Sequence, residues 1–283
     1  IGSVTRGVEY HYNQITGEYD YTQYLIGSTT VTKDYDYEVD SLRRLDTIEL
    51  LVGIHSYTKT FNYDDNNVDS SMGNATNRIR SITYNNNGVG STYYYEYDGN
   101  HNITQILISN YDTQTTDIYN YYYDGFNQLV REDIDLEYEQ YRRTFVYEYD
   151  NQGNITFIKE HYYTTASTVT TAQISRKEFS YDNIWGDQLT NYSEYLGSTL
   201  VKDINYSYDN SGNPTYELDD VSGASVEYEW DGRQMTGYYT AEWGNSFKYN
   251  DQGIRTQIGS NHKFVLDGDK VIVETIGSTI IYY

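Results

Sequence analysis

The sequence predicts an all-β protein: tandem antiparallel β-hairpin repeats joined edge to edge in a continuous twisted sheet that spirals into an open shell or tube. Three observations carry this. An aromatic-x-aromatic-acid unit recurs along the 283 residues, tyrosine supplies 37 of them, and there is a single proline, Pro214. Repetition of one short unit marks a repeat architecture. Tyrosine favours strands, buries a large ring and keeps a hydroxyl for a partner, while proline would remove a ladder donor from a sheet.

The clearest copy is Tyr147-Glu148-Tyr149-Asp150-Asn151-Gln152-Gly153-Asn154-Ile155-Thr156. Tyr147 and Tyr149 leave one face of a strand and Glu148 the other. Asp150 to Asn154 reads as a turn, in which Asp and Asn side chains bond backbone amides and Gly153 takes a positive φ. Ile155-Thr156-Phe157-Ile158 then restarts a β-favouring run. Related units are Tyr95-Glu96-Tyr97-Asp98 before Asn102-Ile103-Thr104, and Tyr206-Ser207-Tyr208-Asp209 before Gly212-Asn213-Pro214-Thr215. Looser copies are Tyr121, Tyr123 and Asp124; Phe179, Tyr181 and Asp182; Tyr228, Trp230 and Asp231; Phe247 to Asn250; and Phe264 to Asp267. Tyr10 to Asn13 and Phe61 to Asp64 are the earliest. From Asp98 onward the aspartates step by 26, 26, 32, 27 and 22 residues, which suits hairpins of variable loop length better than fixed rungs.

A second motif links the copies: Ile26-Gly27-Ser28-Thr29, Leu196-Gly197-Ser198-Thr199 and Ile276-Gly277-Ser278-Thr279, with Val89-Gly90-Ser91-Thr92 and Ile1-Gly2-Ser3 as partial matches. Gly-Ser is hairpin-turn chemistry, so the unit reads strand, Gly-Ser turn, tyrosine strand, Asp-to-Gly turn, strand. Asp112 to Thr116 and Thr164 to Thr171 read as polar hairpin ends. Ser41 to Leu51 fits either a short helix, from its apolar spacing, or a strand of a degraded repeat.

Repeated matches to Tyr-x-Tyr-Asp-x-x-Gly-Asn-x-Thr, over nearly the whole chain, resemble the YD-repeat or Rhs-repeat family. That family includes bacterial Rhs and wall-associated proteins, toxin-complex shell components and teneurins. The resemblance implies a β-sheet spiralling into a hollow shell, which in several members encloses a toxin domain. The Asp-Pro and Gly-Arg-rich closing motif of many toxin-bearing members is missing here. Residues 1–283 read as one YD-repeat region, a fragment of a longer protein, because the chain begins at Ile1 and stops at Tyr282-Tyr283 as a new unit begins.

Composition narrows the function. With Lys+Arg 19 against Asp+Glu 42, the net charge of −23 argues against nucleic acid or an anionic membrane as partner. A mean hydropathy of −0.77 at this charge would suit a disordered chain, were it not for the tyrosines. The absence of cysteine rules out disulfides and thiolate metal sites. No run is apolar and long enough to span a bilayer.

Chemistry-bearing patterns are sparse. Asp64 with Asp65, Asp133 with Asp135, and Asp219 with Asp220 are candidate general acid-base pairs of a glycosidase, expected by chance in so acidic a chain. The turn Asp150 to Asn154 offers one acid where a calcium loop needs several. His11, His55, His101, His161 and His262 show no ligand spacing, and neither a nucleophile elbow nor a phosphate loop occurs. Asn74, Asn102, Asn154, Asn191 and Asn205 each open an Asn-x-Ser/Thr triplet, a glycosylation signal only after secretion through an endoplasmic reticulum. The expectation is a non-catalytic structural segment without a cofactor. It is secreted or on the surface of a bacterial cell, with an enclosed polypeptide, or a surface glycan or protein, as partner. The alternative is an adhesin or glycan-binding module whose tyrosine rows stack on sugars. Which sheet face is interior is open.

Overall fold

The computed structural model describes residues 6–26, 29–37, 42–63, 77–182, 184 and 186–282. Ile1-Gly2-Ser3, Gly27-Ser28, Asp64, Asp65, Asn74 and Tyr283, all singled out above, lie outside them. The described residues form 23 strands and one 3-10 turn, Glu139–Tyr141. They fall into two compact units. The first is Ile1–Phe145 with Tyr162–Thr171, and the second is Val146–His161 with Ala172–Tyr283.

The first unit carries β1 (Arg6–Tyr12), β2 (Tyr19–Ile26), β3 (Thr29–Tyr37), β4 (Leu45–Val52), β5 (His55–Tyr63), β6 (Ile79–Asn86), β7 (Val89–Tyr97), β8 (Ile103–Asn110), β9 (Thr115–Tyr123) and β10 (Leu129–Asp135). Each strand pairs antiparallel with the next in sequence. The strand β11 (Arg143–Tyr149) contributes to both units. The second unit continues with β12 (Ile155–Tyr162), β13 (Gln173–Tyr181), β14 (Leu189–Leu196), β15 (Thr199–Tyr208), β16 (Pro214–Asp219), β17 (Ser225–Asp231) and β18 (Gln234–Thr240). It closes with β19 (Gly244–Tyr249), β20 (Arg255–Ile258), β21 (His262–Asp267), β22 (Lys270–Ile276) and β23 (Thr279–Tyr282). From β12 on, every strand again pairs antiparallel with its successor. The hairpin reading is therefore what the backbone does.

Two sequence expectations are decided here. Leu45 to Val52 is strand, paired with β3 with one register shift at Tyr37 and, from Thr47 to Val52, with β5, so the helical spacing of Ser41 to Leu51 loses to ladder pairing on both sides. The Gly-Ser turn holds at Gly197 and Gly277, both at φ 59, where Leu196 faces Thr199 and Ile276 faces Thr279. It fails at Gly90-Ser91, which lies inside β7. The turn there is Asn87-Gly88, at φ 50 and 91, with Asn86 facing Val89. Asn-Gly supplies two positive φ angles, as a two-residue type I′ hairpin requires. Gly90 instead answers a close approach, since a Cβ there would sit 1.9 Å from the Tyr84 carbonyl oxygen.

The sheet of the first unit has two unlike faces. Tyr57, Lys59 and Phe61 lie on one side of β5, opposite Asn86, Tyr84 and Ile82 of β6. On the other side Thr47, Thr60, Thr83, Thr92, Ser109 and Thr116 follow one another across six strands, β4 to β9. The hydroxyls of Thr83 and Thr92 are 2.9 Å apart. Among the described residues, the only large apolar side chains counted as buried are Phe61 and Phe247, each 9% exposed. A sheet half-buried along most strands relies on ladder bonds and cross-strand pairs rather than on a central core.

Candidate functional site: the tyrosine and turn ladders

The Asp-to-Asn segment folds the same way in successive copies. Asp150 Oδ1 accepts the backbone N–H of Gln152 at 2.8 Å and of Asn154 at 2.9 Å, and Asn154 Nδ2 donates to Asp150 Oδ2 at 2.9 Å. Asp98 does this with Asn100 and Asn102, and Asp209 with Ser211 and Asn213. Asp124 accepts from Phe126 and Gln128, and Asn250 replaces the acid with an amide oxygen for Gln252 and Ile254. The fourth residue of each turn is left-handed: His101 at φ 69, Asn127 at 62, Gly153 at 91, Gly212 at 82 and Gly253 at 80. That position is where the motif's glycine falls, and the two side chains that replace it are types that tolerate this region.

These bonds favour the ionised carboxylate. The Asn102, Asn154 and Asn213 amides, followed in effect by backbone N–H groups, hold Asp98, Asp150 and Asp209 below the usual carboxylate range. Their oxygens are thus engaged within the turn. The motif's asparagine has a further role, because its second amide hydrogen reaches the next turn. Asn102 Nδ2 donates to Asn127 Oδ1 at 2.9 Å, Asn154 Nδ2 to the Gly186 carbonyl at 2.6 Å and Asn213 Nδ2 to the Gly232 carbonyl at 2.8 Å. Local sequence accounts for the Asp-Asn bond. The link to the following turn appears only once the strands are paired.

The second aromatic of each unit makes a parallel ladder. Tyr63 Oη donates to the Leu45 carbonyl at 2.7 Å, Tyr97 to Ile79 at 2.6 Å and Tyr123 to Ile103 at 2.9 Å in the first unit. In the second, Tyr181 donates to Ile155 at 2.9 Å, Tyr208 to Leu189 at 2.6 Å, Trp230 Nε1 to Pro214 at 2.7 Å and Tyr249 to Met235 at 2.7 Å. Each acceptor lies at the start of the preceding strand. The register slips at these same aromatics, between Asn62 and Tyr63, Glu96 and Tyr97, Ser180 and Tyr181, Ser207 and Tyr208, Glu229 and Trp230, and Lys248 and Tyr249. The residue skipped in each case, Arg80, Thr104, Thr190, Thr215, Thr236 or Thr256, belongs to the following strand, so the bulge lies across the aromatic from the preceding-strand carbonyl that its ring end reaches. Arg44 and Arg78, just before two of the acceptors, stack 4.4 Å and 5.0 Å from the Tyr63 and Tyr97 ring centroids.

The first aromatics, Tyr95, Tyr121, Tyr206 and Tyr228, are half-buried on the sheet. Burial, then Glu132, pushes the Tyr121 phenol up to about 12, and burial, then Glu217, does the same to Tyr228. Tyr147 and Tyr149 are also half-buried, and Glu148 is exposed and paired with Lys159. Two copies depart from the five-residue turn. Asp182 reaches the N–H groups of Ile184 and Gly186 in a longer loop that closes on Gln188. Asp231 ends β17 and faces Gln234 across Gly232-Arg233, with Gly232 at φ 61, because Gly-Arg here makes a two-residue hairpin with glycine at its first central position.

Of the three carboxylate pairs, the two that lie among the described residues are occupied. Asp133, 1% exposed, accepts from Arg131 Nε at 2.9 Å and from Thr144 Oγ1 at 2.8 Å. Arg131 also donates to the carbonyls of Thr164 and Ala166, each at 2.6 Å, so the polar loop after β12 is tied to β10. Nothing in the sequence near Arg131 announces that clamp. Asp135 pairs with Arg142 at 2.8 Å and accepts from Tyr163 Oη at 3.1 Å. Asp219 accepts from Ser222 Oγ and the Asp203 N–H, and Asp220 from Asn205 Nδ2. Of the Asn-x-Ser/Thr asparagines, Asn102, Asn154, Asn191 and Asn205 all spend amide hydrogens within the chain. Among the described residues no acid or histidine group is arranged to hold a metal ion.

No protein-family model matches the chain, and no curated protein matches it. Among solved structures, that of TcdB2-TccC3-Cdc42 aligns with 95% of this chain at 14% identity and a TM-score of 0.52, and the chain spans 16% of its length. That of TcdB2-TccC3 aligns with 99% at 12% identity, a TM-score of 0.44 and 21% of its length. What this chain shares with TcdB2-TccC3-Cdc42 is the fold, an antiparallel β-sheet of successive hairpins.

Proposed function

We propose that this chain is a non-catalytic wall segment of a YD-repeat protein, secreted or on a bacterial surface, whose sheet encloses a polypeptide and separates it from solvent and proteases. The observation that carries this reading is the rung of aromatic donor to backbone carbonyl, repeated seven times along the two units. A rung that ties each hairpin to the preceding strand stabilises a sheet laterally without needing a second layer above it. The turn ladder adds a second tie at the hairpin ends. The occupied carboxylates support a structural use of the acids over catalysis.

The experiment is to sequence the reading frame on both sides of the chain and express it with the polypeptide that follows. That polypeptide should resist trypsin in the parent and become sensitive when Tyr97 and Tyr123 are both replaced by alanine. Digestion in the parent at the rate of the free polypeptide would rule out containment.

A further inference from the structure

Four tyrosine rings meet at one end of the strands β1 to β3. Tyr12 of β1 faces Tyr19 of β2 in the register, just past the slip between His11 and Tyr12. Their ring centroids are 5.3 Å apart, with planes at 62°. Tyr10, two residues back along β1, brings its ring to 6.2 Å from Tyr19, and Tyr35 of β3 comes to 4.8 Å. Tyr19 thus has three phenols around it. Tyr10 and Tyr12 are 59% and 58% exposed, so a dissolved oxidant reaches them. Tyr19 is half-buried, and its hydroxyl is hydrogen-bonded to that of Thr22, which holds the ring against the sheet. Thiols and thioethers are common targets of oxidation, yet the described residues of the first unit include no cysteine, methionine or tryptophan. Tyrosine is therefore the most readily oxidised side chain there.

We propose that Tyr12 and Tyr19 are a site of oxidative cross-linking, at which a haem peroxidase and hydrogen peroxide join the two rings as dityrosine. Each phenol gives up one electron and one proton and becomes a phenoxyl radical, while one peroxide is reduced to two waters. The radicals couple through one new carbon–carbon bond, between the ring carbons beside the two oxygens. Each of those carbons then releases its hydrogen as a proton and each oxygen takes one up, which restores both phenols. The product has two hydrogen atoms fewer than the parent. Facing residues on paired strands hold their Cβ atoms about 4.5–5.5 Å apart, so rotation of the exposed Tyr12 side chain closes the gap while the ladder stays in place. The bond would staple the β1-β2 hairpin covalently, as a disulfide does in other chains and cannot in one without cysteine. The inference does not rest on the containment reading.

The test treats the whole folded chain, in dilute solution, with a haem peroxidase and limiting hydrogen peroxide, isolates the monomer and cleaves it after glutamate. Cleavage after Glu9 and Glu18 puts Tyr12 and Tyr19 on separate peptides, so the bond reads as a linked pair lighter by two hydrogen atoms and carrying dityrosine fluorescence. That pair should be the main cross-linked product. Tyr19→Phe should abolish it, and Tyr12→Phe should lower its yield and leave a remainder joined through Tyr10. Tyr141→Phe, which removes a phenol from the exposed Tyr138–Tyr141 pair, should leave it unchanged. Products joined only between chains, or a main product at other tyrosines, would overturn the proposal. So would an undiminished yield of the pair in folded Tyr19→Phe protein. If Tyr19→Phe fails to fold, an undiminished yield in Tyr12→Phe, changed at an exposed ring, overturns it instead.

Discussion

Replacing Tyr208 by phenylalanine removes one rung and little else. The ring, its half-buried packing and the bulge between Ser207 and Tyr208 all remain, while the 2.6 Å bond to the Leu189 carbonyl is lost. Burial pushes the Tyr208 phenol up, so the hydroxyl is protonated, and a donor, at neutral pH. A neutral hydrogen bond contributes about 0.5–1.5 kcal/mol net, and a carbonyl left unpaired in a dry site costs about 1–3 kcal/mol. Leu189 is half-buried, so water reaches part of that deficit and the expected loss is about 1 kcal/mol. Tyr208→Ala also removes the ring, and the total should approach about 2–3 kcal/mol. Trp230 and Trp243 lie in the second unit, so tryptophan fluorescence during urea unfolding reports it. A Tyr208→Phe curve superimposed on the parent, beside an alanine variant that loses the full amount, would show that the ring matters and the rung does not.

Four other outcomes follow from the same geometry. Gly153→Val should cost about 1 kcal/mol or more, because its φ is 91, whereas Gly153→Asn should cost less, since Asn127 fills the corresponding place; thermal melts of both decide it. Asp98, Asp150 and Asp209 titrate below their unfolded values, so their stabilisation is complete above about pH 4 and is lost as pH falls through the folded values; Asp209→Asn should flatten the acid limb of a Tm-against-pH curve. Tyr121 and Tyr228, pushed up to about 12, keep their protons where unfolded tyrosine ionises. Stability should therefore fall as pH rises from about 10 to about 12, with a late phenolate absorbance step diminished in Tyr121→Phe. Arg131→Met strands Asp133, which is 1% exposed, and should cost about 3–5 kcal/mol, with Asp133→Leu on the same chain recovering most of it in denaturant unfolding.

Much of the hairpin plan was legible in the order of residues because its causes are local. Tyr147 and Tyr149 share a face through the two-residue period of a strand, Asp150 reaches amides two and four residues on, and Gly153 takes the angle the turn requires. Where two local signals competed, reading alone erred or left the matter open. Gly90-Ser91 resembles the Gly-Ser turns but sits next to Asn87-Gly88, the stronger turn former, and becomes strand. Ser41 to Leu51 carries a helical spacing that pairing with β3 and β5 overrides.

The sequence by itself determined the all-β class, the tyrosine rows and the Asp-to-Asn turns, since each depends on contacts within a few residues. Only the tertiary structure decided what those residues hold. Tyr97 finds the carbonyl of Ile79, Asn154 that of Gly186, and Arg131 those of Thr164 and Ala166. Each partner lies far along the chain and is a backbone group that every residue possesses, so composition leaves no trace of the pairing.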